Sequence, residues 1–157
     1  MRSMRHAHIV VVADSDRGIE IAARLRRMAI ARVTAASGLL EARRLCDGGG
    51  ADACVVLRED EILDAPPRQA GDAPGSDSGV PTLIIVPAAT LYIRKSARRE
   101  GYQAVIQAGI APRMLYRRIG AALQHRRASR RAHWRKATAV AALVMASMPE
   151  FNKPTLH

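Results

Sequence analysis

The stretch that decides the fold is His8-Ile9-Val10-Val11-Val12-Ala13-Asp14-Ser15-Asp16. A β-branched run stops at two carboxylates and then gives way to a helical pattern. Ile9 to Val12 is continuously apolar, as a strand is when helices cover both of its faces. In parallel sheets of that kind, ligands and chemistry gather at the carboxyl ends of the strands. A site on this edge would therefore contain Asp14 and Asp16. The competing reading of both residues is capping and dipole complementarity at the start of the first helix.

Downstream, Arg17 to Ile30 reads as a helix capped by Ser15 or Asp16, with Ile21, Leu25 and Met28 on one face and Arg24 and Arg27 elsewhere. Ala31 to Ala35 is a weaker strand. Ser37 opens a second, short helix through Leu39, Leu40 and Leu45, which Asp47-Gly48-Gly49-Gly50 ends. Ala53 to Leu57 and Val80 to Val86 are the third and fourth strands, with Pro81 at the start of the latter, where its missing donor does least harm. Between them, Asp64 to Gly79 holds three prolines and three glycines. The spacing predicts a mobile loop there, preceded at most by a short helix over Glu59 to Leu63. Ala88 to Arg99 is the next helix and Tyr102 to Gln107 the fifth strand. Pro112 suits the first turn of a last helix that nothing stops before Pro149. Five strands alternating with helices imply a parallel sheet covered on both faces, and the right-handed crossover rule leaves few other topologies.

The 157 residues are enough for one core and a tail, with 1–124 expected as the domain and 125–157 as its extension. At 48% hydrophobic and 25% charged the composition is globular, and at 3% aromatic it argues against a platform that stacks bases or sugars. Cys46 and Cys54 are too few for a disulfide scaffold or a zinc site, and Cys54 sits where a buried thiol acts as a small apolar residue. The amino-terminal apolar run is too short for a signal peptide, and no segment approaches the ~20 apolar residues that span a bilayer. A cytoplasmic location is expected. Catalysis finds little support. The histidines (His6, His8, His125, His133, His157) lie near the chain ends, and Gly48-Gly49-Gly50 precedes a strand rather than opening a helix. Neither a metal nor a cofactor is expected.

Taken in order, VVVADSD, ADACVVLRED, VPTLIIVPA, GYQAVIQAGI and the last helix PRMLYRRIGAALQHRR resemble the receiver domains of two-component response regulators over about residues 6–127. The resemblance implies a flavodoxin-like, CheY-like α/β fold with a five-stranded parallel sheet in the order 2-1-3-4-5 and helices on both faces, to which the unbroken pattern after Pro112 adds an extended C-terminal helix. Receivers accept a phosphoryl group on an aspartate ending strand three. Two acids after strand one bind magnesium, a Thr or Ser ends strand four, and a Lys-Pro pair ends strand five. Phosphoryl transfer to a carboxylate needs this set because the negative charge it builds must be neutralised. In this chain the first acid position falls on Ala13, and only the second is kept, as Asp14. The acceptor position falls on Leu57 (or Arg58), the hydroxyl position on Val86 and the Lys-Pro pair on Ala108-Gly109. Glu59 and Asp60, two or three residues along, are too displaced to take over. The expectation is a degenerate pseudo-receiver without the phosphorylation switch. The family's signalling face, if carried over, would hold Leu91, Tyr92, Lys95, Tyr102, Leu115, Arg118, Ile119 and Ala122, although the spacing of Leu115, Ile119 and Ala122 suits a core as well.

Charge is unevenly distributed. Residues 1–100 carry 15 Lys+Arg and 13 Asp+Glu, a balance of +2, whereas 101–157 carry 10 and one, a balance of +9, together the +11 of the whole chain. His125 to Lys136, HRRASRRAHWRK, supplies a basic arm of Arg126, Arg127, Arg130, Arg131, Arg135 and Lys136 around Trp134, and the uncharged ATAVAALVMASM follows. An exposed apolar stretch of this kind is an association liability. The leading expectation is therefore a signalling or adaptor module that self-associates, as a homodimer, and binds a protein partner such as a histidine kinase, regulator or enzyme. The runner-up is a regulator whose basic helix contacts nucleic acid through phosphates. An anionic membrane surface, with Trp134 at the interface, is a third reading.

Overall fold

The fold comes from a computed structural model, which describes residues 4–28, 32–58 and 73–147. After a short 3-10 turn, Met4–His6, the elements are β1 (His8–Val12), α1 (Asp16–Arg27), β2 (Arg32–Ala36), α2 (Leu39–Asp47), β3 (Ala53–Leu57), β4 (Thr82–Val86), α3 (Leu91–Arg99), β5 (Ala104–Gln107) and α4 (Pro112–Ser147). The five strands form one parallel sheet in the order β2-β1-β3-β4-β5. This is the flavodoxin-like arrangement of CheY. The expected helix over Glu59 to Leu63, and most of the loop after it, lie outside the described residues.

Period-two alternation assigns the strand residues to two layers. On one side Ile9, Val11, Val55, Leu83 and Ile106 pack with Ala22 and Leu25 of α1 and with Leu115, Ile119 and Leu123 of α4. On the other, Val10, Val12, Val56, Ile84 and Val86 pack with Ala42 of α2 and with Ile93 and Ala97 of α3. Fully burying one such aliphatic side chain contributes about 1.5–3 kcal/mol, so these two layers carry the stability of the domain. Cys46 and Cys54 meet in the second layer, where donating its S–H to Cys46, together with burial, holds the Cys54 thiol well above its ordinary range.

Helix starts follow local side-chain chemistry. Ser15, rather than Asp16, caps α1, its hydroxyl accepting the Gly18 N–H at 3.3 Å. Thr90 caps α3 by accepting from Ile93 N–H at 3.3 Å, so this helix begins three residues later than the expected Ala88. Ser37 stands just outside α2, where its N–H and O–H both donate to Glu41 at 2.6 Å. These two bonds hold the Glu41 carboxyl below its usual range. The Ala73–Gly79 turn is fastened to the body by Ala73 N–H donating to Glu100 O at 2.8 Å and by the Thr82 hydroxyl donating to Pro74 O.

The chain divides into two compact units, Met1–Arg126 and Arg127–His157. The single helix α4 contributes to both. Arg126 belongs with the first unit because its guanidinium donates to Ala51 O and Asp52 O at 3.3 and 3.2 Å. Gln103 Nε2 and His125 Nδ1 also lie 3.1 Å apart.

Gly18 allows α1 to start directly against the end of β1. A Cβ there would lie 2.8 Å from both Ala13 Cα and Val12 O, whereas one at Gly38 meets nothing within 4 Å. Gly18→Ala should therefore lower stability by about 1–3 kcal/mol in urea denaturation, while Gly38→Ser leaves it unchanged or slightly raised. Equal effects at the two sites would contradict this packing.

Candidate functional site

The carboxyl edge of the sheet is where a receiver would carry its chemistry, and its residues arise from the ends of four elements. Ala13 continues β1 by one residue, its N–H donating to Ala36 O at 2.8 Å. Asp14 and Asp16 follow and are both exposed, flanking the Ser15 cap. With Arg17 they line a shallow, open depression. Among the described residues no group of three or more His, Cys, Asp or Glu side chains is placed to hold a metal ion. Glu59 and Asp60 lie outside the described residues.

Leu57 ends β3 with its side chain 7% exposed in the layer under α1 and α4. Arg58 follows, its backbone N–H bonded to Ile85 O at 2.9 Å, and its side chain forms an ion pair with Glu100 at 3.5 Å. Both side chains are largely buried, at 12% and 3% exposure, and Ser96 O–H donates to the other Glu100 oxygen at 3.3 Å. Val86 ends β4 fully buried in the opposite layer. Ala108 N–H donates to Val86 O at 2.7 Å, and Gly109 turns the chain with φ of +83°. Among the described residues, the ends of β3, β4 and β5 thus present aliphatic side chains and a guanidinium paired with a buried carboxylate.

Of the expected signalling face, Leu91, Tyr92 and Lys95 on α3 and Arg118 on α4 are exposed. The other four are corrected. Tyr102, Leu115, Ile119 and Ala122 are all buried in the two cores, so they cannot face a partner in this conformation. The i, i+4, i+7 row on α4 points at the sheet, and Tyr102 fills the layer beside Ile93 and Ala97. Their spacing was the available signal. The basic arm is corrected at one position: Arg126 is anchored on backbone carbonyls of the first unit. It follows Ile119 and Ala122 on the buried side of the helix. Arg131, Arg135 and Lys136 are exposed, as are Trp134, Val140, Leu143 and Met145. The side chain of Arg130 lies outside the described residues, and Arg127 is half-buried.

Sequence reading missed two features. The Arg58–Glu100 pair joins residues 42 positions apart, and no local pattern announces it. The second is His8, which near the chain start carries no local signal of a role. Its Nε2 is 2.8 Å from Thr34 Oγ1, and its Nδ1 bonds Gly50 O, at the amino edge of the sheet. That places it in the scaffold, away from the carboxyl edge.

No family model and no curated protein matches the sequence. Solved structures do match the fold. A signal receiver domain of an HD domain-containing protein from Pseudomonas fluorescens Pf-5 superposes with a TM-score of 0.64 at 12% identity, covering 83% of this chain and 96% of that one. A putative pilus assembly-related protein from Burkholderia pseudomallei K96243 gives 0.63 at 16% identity, covering 79% and 94%. A CheY-like response regulator receiver domain protein from Methanospirillum hungatei JF-1 gives 0.56 at 15% identity, covering 79% and 98%. At these identities the likeness is one of fold, and the fold is that of CheY-like receiver domains.

Proposed function

We propose that this chain is a pseudo-receiver. It is a signalling or adaptor module that takes no phosphoryl group, has no catalysis of its own and acts in the cytoplasm by binding other proteins. The observation that carries the reading is the end of β3. Where a receiver needs a carboxylate nucleophile, Leu57 offers a hydrocarbon, and the next side chain is a cation bound to Glu100. Ala13, Val86 and Ala108 likewise offer neither a metal ligand, a hydroxyl nor an ammonium, so the charge of a phosphoryl transfer would go uncompensated. In place of a switchable corner, the ion pair ties the β3 end to the last turn of α3.

The partner is a kinase, regulator or enzyme, met through the exposed Leu91, Tyr92 and Lys95 of α3 with Arg118 of α4. Self-association uses residues 127–147. No charge occurs between Ala137 and Ser147, and Val140, Leu143 and Met145 are 62%, 73% and 74% exposed. An apolar helical stretch this exposed is stable in water only when covered. A second copy is the simplest cover. The exposed cations Arg131, Arg135 and Lys136 favour nucleic acid as the second reading, with a steep loss of affinity as salt rises.

Light scattering after size exclusion should give a dimer for the full chain and a monomer for a Val140→Glu/Leu143→Glu variant. A monomeric full chain, or an unchanged mass in the variant, would remove self-association through this segment. Salt-sensitive duplex DNA binding that survives the same variant would move the reading to nucleic acid.

The ion pair is tested by its stability. Removing one member leaves a buried charge unmatched, so Arg58→Met should cost about 3 kcal/mol in urea denaturation, with Arg58→Met/Glu100→Gln recovering part of the loss. A single-variant cost under about 0.5 kcal/mol would show a pair dissolved in solvent.

A further inference from the structure

The end of α4 carries two unlike sides. Successive residues of an α-helix stand about 100° apart around its axis. Val140 and Leu143, three positions apart, therefore share the side assigned above to self-association. Trp134 and Met145 are eleven positions apart, close to three full turns, so they share a different side, turned away from Leu143. Both are open to solvent, at 71% and 74% exposure. Arg131 and Arg135, one turn apart and both exposed, run along the flank of this second side, whereas Lys136 falls with Leu143.

The two arginines are uncompensated. No acidic residue occurs between Gly101 and Pro149, and neither Arg131 nor Arg135 forms an ion pair among the described residues. The apolar groups beside them also lack a cover, because a two-helix seam on Val140 and Leu143 buries one stripe and leaves the opposite one in water. Guanidinium groups next to an indole and a thioether match the layers of an anionic bilayer. Phosphates meet the arginines, the headgroup level suits the indole, and the acyl boundary takes the apolar side chains. Duplex nucleic acid, phosphate on its outside, uses the cations and leaves Met145 in water. The uncharged segment 137–147 is eleven residues, about 16 Å of helix, against a hydrocarbon core of about 30 Å. Among the described residues no helix is long and apolar enough to cross a membrane, so the fitting geometry is a helix lying on the bilayer.

We propose that the Trp134–Met145 side of α4 docks on a bilayer with anionic headgroups. Arg131 and Arg135 bind the phosphates, and Trp134 and Met145 enter the acyl boundary. This goes beyond self-association and does not depend on it, since the two interactions use different sides of the helix.

Trp134 is the only tryptophan in the chain, so its fluorescence reports on this side directly. The full-length chain is titrated with vesicles of phosphatidylserine and phosphatidylcholine in equal parts, and with phosphatidylcholine alone. A saturable blue shift is expected with the anionic vesicles only, weakening as salt rises. Arg131→Gln/Arg135→Gln should weaken binding at least about tenfold, and Met145→Gln about fivefold, while light scattering gives both variants the solution mass of the native chain. The proposal is overturned by no shift with anionic vesicles, by an equal shift with phosphatidylcholine alone, or by undiminished binding of the arginine variant. A salt-sensitive Trp134 response to duplex DNA in place of vesicles would overturn it in favour of nucleic acid. Loss of vesicle binding only together with a change in solution mass would show one surface rather than two, and would overturn the separate lipid-facing side.

Discussion

The whole domain depends on a sheet whose three central strands are apolar on both faces. In β3 every residue from Ala53 to Leu57 is buried, and the same holds for β4 and for β1 beyond His8. Such strands are stable only when a helical layer covers each side. That requirement fixes α1 and the first part of α4 on one face and α2 and α3 on the other. It also explains Gly18, which lets the first helix start hard against the end of its strand, and the burial of Tyr102, Leu115, Ile119 and Ala122. Residues that a family analogy places on a signalling surface are here held by the core.

The carboxyl edge differs from that of a phosphorylated receiver in a physically coherent way. An acceptor aspartate, a metal and a lysine make a charged, hydrated corner. Among the described residues of this chain the ends of β3, β4 and β5 hold Leu57, Val86 and Ala108, and the Arg58 guanidinium beside them is paired with Glu100. Asp14 and Asp16 are exposed beside a helix N-terminus, where negative charge is favourable without any ligand.

Much of this was legible in the sequence because it is local. Ile9–Val12, Ala53–Leu57 and the apolar part of Val80–Val86 announce strands by runs of β-branched residues, and Ser15 marks the first helix start. Pro112 opens the last helix and no residue stops it through Ser147, as the structure has it. What was not legible depends on contacts across the chain. The Arg58–Glu100 pair and the anchoring of Arg126 on the turn before β3 involve residues far apart in sequence. A periodic pattern can say that Leu115 and Ile119 share a side of a helix. It cannot say whether that side meets a sheet or a partner.

The central claim is that the receiver fold persists here without its phosphoryl chemistry. The most direct measurement is the intact mass of the full-length chain after incubation with acetyl phosphate and magnesium. The account predicts an unchanged mass at every incubation time, with no change in circular dichroism. A phosphoryl adduct on the native chain that disappears in Glu59→Gln or Asp60→Asn would place a working acceptor just beyond β3, and the pseudo-receiver reading would be wrong.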